Sequence, residues 1–128
     1  MKLPRIDIDI EKITHNIQQL KMLYGYKGIK LVGVTKVIGG YPVIAKILVE
    51  NGIEILADSR IENIIKMRKS GIRAQYLLLR TPSLSQVEEV IIHTHISLNT
   101  ELIVLKALSK YALRNQIIHK VILMLELG

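Results

Sequence analysis

Short apolar runs rich in β-branched residues alternate along the chain with segments in which apolar residues recur every three or four positions. The runs predict β-strands, and they begin about 20–25 residues apart, which is the length of a compact strand-plus-helix unit. These predicted strands are Leu31–Thr35, Ile53–Ala57, Gln75–Leu79, His95–Leu98 and Val121–Leu125. The alternation predicts an α/β fold in which the strands are parallel and are covered by helices.

The segments with helical spacing carry recognisable end signals. The first has one apolar stripe over Ile10–Leu23, with Asp9 as the expected N-cap and Gly25 as the expected end. Pro42 suits the first turn of the second helix, which Gly52 should end. Capping residues precede the other helices: Ser59 with Glu62, then Ser83 with Gln86 or Ser85 with Glu88, then Asn99 or Thr100.

Two architectures satisfy this pattern, an open doubly wound sheet and a piece of a (β/α)8 barrel. A complete barrel needs about 250 residues, whereas this chain has 128. Arg5–Asp9 is a candidate for a further short extended segment, and the chain ends on a strand, at Leu125–Gly128, with no helix after it. As a barrel the chain would therefore be an N-terminal portion only, one partial domain over residues 1–128 that stops after the fifth strand.

Composition narrows the chemistry. The absence of Cys excludes a disulfide scaffold, a thiol nucleophile and any Cys-based metal site. The net charge is +7, but the basic residues are spread along the chain without an aromatic platform, so we expect no nucleic-acid partner. No apolar stretch is long enough to span a membrane, and the N-terminus contains acids and a proline where an export signal needs an apolar core. We therefore expect a cytoplasmic protein.

Hydrogen-bonding or charged groups follow each predicted strand, where βα folds bind their ligands. These groups are Lys36, then Asp58 with Ser59 and Arg60, then Arg80, then Asn99, then Glu126. A structural alternative is open at this point, because strands must end somewhere polar and Ser59 and Asn99 also suit helix caps. His93 and His95 would share a face of a predicted strand, but no third ligand is near, so we expect no metal site.

Lys36 has the most specific chemistry. It follows an apolar strand and precedes the pair Gly39 and Gly40, which would let the backbone pass close to a bulky ligand. A lysine at a barrel mouth is partly desolvated, which favours the neutral amine that attacks an aldehyde and holds it as a Schiff base. The alternative is a lysine whose stem follows the strand while its amine reaches solvent.

The segments around these residues resemble a known family. PRIDIDIEKITHNIQQL, at Pro4 to Leu20, resembles the IDLxxLxHN start of the alanine racemase-like family, and LVGVTKV, at Leu31 to Val37, is similar to its strand with the pyridoxal-phosphate lysine. ILADSRIENI, LLLRTPSLSQVEEV, ISLNTELIVLKAL and VILMLELG are most similar to the ornithine racemase branch. The resemblance covers nearly the whole chain.

The resemblance implies a fold-type III pyridoxal-phosphate enzyme, the N-terminal portion of a (β/α)8 barrel, that racemises ornithine or another small or basic amino acid. It implies that Lys36 holds the cofactor and moves the Cα proton. Matched by strand position, Ser59, Arg80 and Asn99 would contact the cofactor and Asp58 and Arg60 the substrate.

Two alternatives stay open beside the racemase. One is a non-enzymatic protein of pyridoxal-phosphate homeostasis, and the other is an inactive half-barrel. Because two sheet edges rich in valine and isoleucine would be unpaired, we also expect the isolated chain to form a homodimer or to self-associate in another way, and to be weakly active or inactive.

Overall fold

The structure is a computed structural model that describes residues 4–127. Gly128, part of the strand expected at Leu125–Gly128, lies outside the described residues, and residues 124–127 have no regular secondary structure, because the last strand already ends at Leu123. The strands are β1 Val32–Val34, β2 Ile55–Asp58, β3 Gln75–Leu78, β4 Ile96–Asn99 and β5 Lys120–Leu123. The helices are α1 Ile10–Gly25, α2 Pro42–Glu50, α3 Ile61–Lys69, α4 Val87–His93 and α5 Leu102–Arg114, with short 3-10 turns at Lys36–Ile38 and Leu84–Gln86.

The order of the strands decides between the two architectures. The five strands pair in parallel in chain order, β1-β2-β3-β4-β5. A doubly wound sheet reverses its order at a switch point, whereas a barrel adds every strand on the same side of the previous one. The sequential order therefore confirms the α/β class and makes the sheet the N-terminal portion of a barrel.

The helices form one layer on one face of this sheet. Each helix contacts the next one along the chain, from α1 to α5. A Cβ atom added to Gly33 in β1 would lie 3.0 Å from Leu48 of α2 and 3.1 Å from Leu56 of β2, so Gly33 faces the helices. Because successive residues of a strand face opposite sides, Val32 and Val34 face away from the helices. Both are exposed, so the face that is the inside of a barrel is open among the described residues.

The core lies between the helix-facing side of the sheet and the helix layer. Leu56, Tyr76 and Leu78 contribute from the strands. Ile61, Ile64, Met67, Val87, Val90, Ile91, Val104 and Leu108 contribute from the helices. Within residues 4–127, none of the helices combines the length and the apolar character that crossing a bilayer requires.

The helix starts agree with the sequence prediction in α1 and α2 and differ in the three later helices. Asp9 caps α1 by accepting the backbone N–H of Lys12 at 3.1 Å, and Pro42 lies in the first turn of α2. Ser59 does not cap α3, because Arg60 occupies the N-cap position. The side chain of Arg60 makes no capping hydrogen bond.

Other predicted ends moved by a few residues. Glu101, instead of Asn99 or Thr100, occupies the N-cap position of α5. Ser83 precedes the 3-10 turn Leu84–Gln86, and α4 begins only at Val87. The extended segment considered at Arg5–Asp9 has no regular secondary structure.

Replacement of Ile64 by alanine tests the core. Ile64 is fully buried on α3, so we expect Ile64→Ala to lower the free energy of unfolding by about 2–5 kcal/mol, measured by urea denaturation. Met22→Ala on α1 is the matched control, because Met22 is 63% exposed, and it should cost less than about 1 kcal/mol. Equal effects of the two substitutions would contradict the assignment of the core.

Candidate functional site

Lys36 lies directly after β1, at the carboxyl end of the sheet. The backbone N–H of Thr35 still donates to the Ala57 carbonyl at 2.8 Å, so the parallel pairing with β2 continues to Thr35. Lys36 is the next residue and begins the 3-10 turn Lys36–Ile38, so it lies just past the strand, at the edge where βα folds bind their ligands. Within residues 4–127, no group bonds to the Lys36 amine.

The side chain of Lys36 is exposed, which differs from the partial desolvation expected from the sequence. The physical reason is the open inner face. A strand-end side chain of an eight-stranded barrel is enclosed by the opposite strands and by their loops, and the five described strands leave that side uncovered.

Asp58, the last residue of β2, lies inside the protein with both carboxylate oxygens engaged. Its Oδ2 lies 2.8 Å from the Thr35 hydroxyl, and its Oδ1 accepts the Arg60 backbone N–H at 2.9 Å and the Asn63 side-chain amide at 3.0 Å. Asp58 and Thr35 are each 0% exposed. We call Thr35, Asp58, Asn63 and the Arg60 N–H the Asp58 network. The burial of the Asp58 side chain argues against the direct substrate contact expected for this residue.

The turn that carries Lys36 is closed by hydrogen bonds at both ends. The Thr35 carbonyl accepts the N–H of Ile38 at 3.2 Å and that of Gly40 at 3.0 Å. Gly40 has φ +61°, and a Cβ atom there would lie 2.8 Å from Cβ of Asn63, so only glycine fits. The Lys66 amine also donates to the Gly39 carbonyl. Helix α3 therefore holds the turn through Asn63 and Lys66.

Ser59, Arg60 and Arg80 share one groove at the carboxyl ends of β2 and β3. Its volume is about 270 Å³, and Glu62 and Gln86 line it together with them. Arg60 and Arg80 are exposed and Ser59 is half-buried. Two guanidinium groups beside a hydroxyl suit an anionic group, because guanidinium matches phosphate or carboxylate oxygens in a bidentate geometry.

Asn99 lies apart from Lys36, at the end of β4. Its amide nitrogen donates to the Ser97 hydroxyl at 2.9 Å and to the Ser97 carbonyl at 3.0 Å. The same hydroxyl lies 2.8 Å from Nε2 of His119. Asn99 is 0% exposed and its Oδ1 has no hydrogen-bond partner. This buried cluster bridges β4 and the start of β5, whereas Lys36 follows β1 at the opposite edge of the sheet.

The two neighbouring histidines do not share a strand. His93 is the last residue of α4, and His95 precedes β4, where its Nδ1 accepts the Tyr76 N–H at 3.0 Å. The prediction that they share a strand face was wrong, because α4 extends to His93. Among residues 4–127, no three His, Cys, Asp or Glu side chains are close enough to hold a metal ion.

Sequence reasoning missed Thr35 and Asn63, the two residues whose side chains bond to Asp58. A signal for Thr35 was present, because Thr35 and Asp58 end neighbouring strands of a sheet whose strands pair in chain order. The position of Asn63 depends on how the first turn of α3 meets the sheet, and the sequence pattern does not specify that angle.

Comparison with known proteins places these features in a family. Residues 8–128 match the family model of the alanine racemase N-terminal domain. The chain is 38% identical over 125 residues to an ornithine racemase of Acetoanaerobium sticklandii, covering 98% of this chain and 35% of that protein. It is 40% identical over 93 residues to a lysine racemase of Thermotoga maritima, covering 73% of this chain and 26% of that protein.

A solved structure has the same fold. The alanine racemase of Clostridium difficile 630 superposes with a TM-score of 0.76 at 23% identity, over 91% of this chain and 30% of that one. This chain therefore spans about a quarter to a third of the length of these three proteins.

The lowered pKa of His119 leads us to expect that the free energy of unfolding depends on pH. Burial lowers the pKa of His119, a hydrogen bond with the Thr94 backbone opposes this shift, and nearby His95 adds to it. The unfolded chain, whose histidine pKa is 6.5, then binds more protons, so the free energy of unfolding falls as the pH drops below about 7. We expect His119→Gln to reduce this slope, by at most ~1.4 kcal/mol per pH unit.

The measurement is urea denaturation at several pH values between about 7.5 and 5.5, above the main range of carboxylate titration. The pKa values of His93 and His95 are also lowered, by burial and then by Arg68, so part of the slope should remain in His119→Gln. An identical slope in the two proteins would contradict the role given to His119.

Proposed function

Because this chain belongs to the alanine racemase N-terminal domain family, we propose that it is part of a pyridoxal-phosphate-dependent amino-acid racemase, an isomerase. Lys36 is the residue that would bind the cofactor and carry the catalysis. The observation that supports this assignment most directly is the position of Lys36 at the carboxyl end of β1, exposed and with its amine unpartnered among residues 4–127.

The residues present fit this cofactor. An aldehyde needs a primary amine without a competing ion pair, and Lys36 supplies one. A phosphate needs cationic or hydrogen-bonding groups, and Ser59 and Arg80 supply them in the 270 Å³ groove. Asn99 is buried on the helix side of the sheet, so we assign it a structural role instead of the cofactor contact expected from the sequence.

Lys36 would act first as a nucleophile. Lys36 would hold the cofactor through its amine, which is the nucleophile that condenses with an aldehyde while water leaves. When bound, pyridoxal phosphate would supply an electron sink for the Cα of an amino acid. Lys36 would also serve as the general base that takes the Cα proton on its own face. Return of a proton to the opposite face inverts the Cα centre.

Arg60 is the proposed substrate-binding residue in the described part of the chain. It is exposed beside Ser59 and Arg80, where its guanidinium would bind the carboxylate of an amino acid. We propose a basic amino acid such as ornithine or lysine as the substrate, since the relatives of greatest coverage and identity reported above are named for these two.

Replacement of Lys36 tests the proposal. The protein is incubated with pyridoxal phosphate, reduced with borohydride, which adds hydride to the carbon–nitrogen double bond, and mapped by mass spectrometry. We expect the label on Lys36 and none in Lys36→Ala. We also expect conversion of L-ornithine or L-lysine to the D-enantiomer to fall by about 100-fold or more in this variant, because the nucleophile and the base are both lost.

Lys110→Ala is the matched control, an exposed lysine of α5, and it should retain the labelling and the turnover. In the full-length protein, labelling of Lys36 without racemisation of any amino acid would contradict the racemase and favour a non-enzymatic cofactor-binding protein. A protein without label at Lys36 would overturn the whole assignment.

A second prediction concerns the 128-residue chain alone. Val32 and Val34 of β1 are exposed on the inner face, and Val121, Ile122 and Leu123 of the other edge strand, β5, are exposed as well, on alternating faces of the sheet. Unpaired edges with apolar side chains associate. We expect size-exclusion chromatography with light scattering to give a dimer or a larger species, and turnover to be weak. A well-behaved active monomer would contradict this expectation.

A further inference from the structure

The residue before Lys36 is held more tightly than a strand end requires. Thr35 is 0% exposed, and its backbone N–H already completes the pairing with Ala57. Its hydroxyl then lies 2.8 Å from Oδ2 of Asp58 and 3.2 Å from the Ala57 carbonyl. A single proton favours the charged acceptor at the shorter distance, so the Thr35 hydroxyl donates to Asp58.

The burial of the Asp58 carboxylate at the end of β2 calls for a physical explanation. Removing a carboxylate from water costs several kcal/mol unless hydrogen bonds replace its hydration. Asp58 has three donors, the Thr35 hydroxyl, the Arg60 N–H and the Asn63 amide. These donors come from both sides of the sheet end, the β1 terminus and the start of α3, so the carboxylate ties the two segments together.

Asn63 connects the same carboxylate to the far end of the Lys36 turn. Its amide donates to Asp58 at 3.0 Å, and its Cβ is the atom against which Gly40 packs. Gly40 in turn donates its N–H to the Thr35 carbonyl at 3.0 Å. Residues 36–39 therefore lie between Thr35, which belongs to the Asp58 network, and Gly40, which contacts it.

We propose that the Asp58 network is a positioning device that fixes the backbone of Lys36 for its reaction, with Asp58 acting through Thr35 and Asn63 and not by contact with a substrate. The Lys36 side chain is exposed and has no partner of its own among the described residues, so only its backbone can limit where the amine reaches. A misplacement of about 1 Å can cost a reaction a factor on the order of 100. The proposal rests on the proposed function of Lys36.

Thr35→Val removes the hydroxyl and keeps the shape of the side chain. We expect it to weaken the binding of pyridoxal phosphate, followed by absorbance titration of the protein, by about tenfold, and to slow borohydride labelling at Lys36. Thr35→Ser keeps the hydroxyl and should bind within about twofold of the unmodified protein. Asn63→Ala is a second variant, which removes a different donor from Asp58 and should act in the same direction.

Thr94→Val is the matched control. Thr94 is 4% exposed, and its hydroxyl donates to the Val90 carbonyl at 2.7 Å, at the end of α4 and away from Lys36. Its loss should lower the free energy of unfolding as Thr35→Val does and leave cofactor binding within about twofold. If Thr94→Val and Thr35→Val weaken binding equally, the effect is general instability and the proposal is wrong.

Amide hydrogen exchange supplies a readout that needs no cofactor. We expect the amides of residues 36–41 to exchange about tenfold faster in Thr35→Val and Asn63→Ala, and at an unchanged rate in Thr94→Val. Unchanged exchange in the first two variants overturns the positioning role, even if Lys36 takes up the cofactor. Faster exchange in a protein that takes up no cofactor at Lys36 refutes the proposed function and removes the catalytic meaning of the network, while its structural effect stands.

Discussion

Parallel pairing between consecutive strands is the constraint on which the arrangement of this chain depends. Each strand lies beside the one that precedes it, so all five carboxyl ends meet at one edge and every crossover helix falls on the same face. The pairing of β1 with β2 continues to Thr35 and Ala57. That one extra hydrogen bond brings the Thr35 side chain against Asp58 and places Lys36 directly after it, at the start of the 3-10 turn.

The polar groups at this end of the sheet have different surroundings. On the helix side of the sheet, Asp58 and Asn99 are fully buried and hydrogen-bonded within the chain. In the turn after β1, Lys36 is exposed and unpartnered among residues 4–127. Low dielectric surroundings strengthen the hydrogen bonds of the buried carboxylate and make any missing donor costly. A group so placed supports a reactive neighbour better than it binds an exchangeable substrate.

The open inner face gives the proposed site its dependence on a larger assembly. Val32 and Val34 are exposed at 39% and 45%, although they alternate with the buried Gly33. The matching ornithine racemase is longer, and this chain covers 35% of it. Strands that close a barrel would cover these valines and enclose the carboxyl end of the sheet, where Lys36 lies.

The sequence by itself predicted the helices and strands, the α/β class and the position of Lys36 after the first strand. Apolar periodicity, Pro42 and the end of the first strand at Thr35–Lys36 are local signals. It also showed which polar residues follow the strands. It did not distinguish a helix cap from a buried hydrogen-bond partner, as Ser59, Asp58 and Asn99 show, since both uses favour the same residue types. Only the tertiary structure decided that strands add in chain order, that Asp58 faces the helices and that Lys36 is exposed in a turn just past β1. Those facts depend on register and on which face the helices cover, and a one-residue change of register would exchange the two faces.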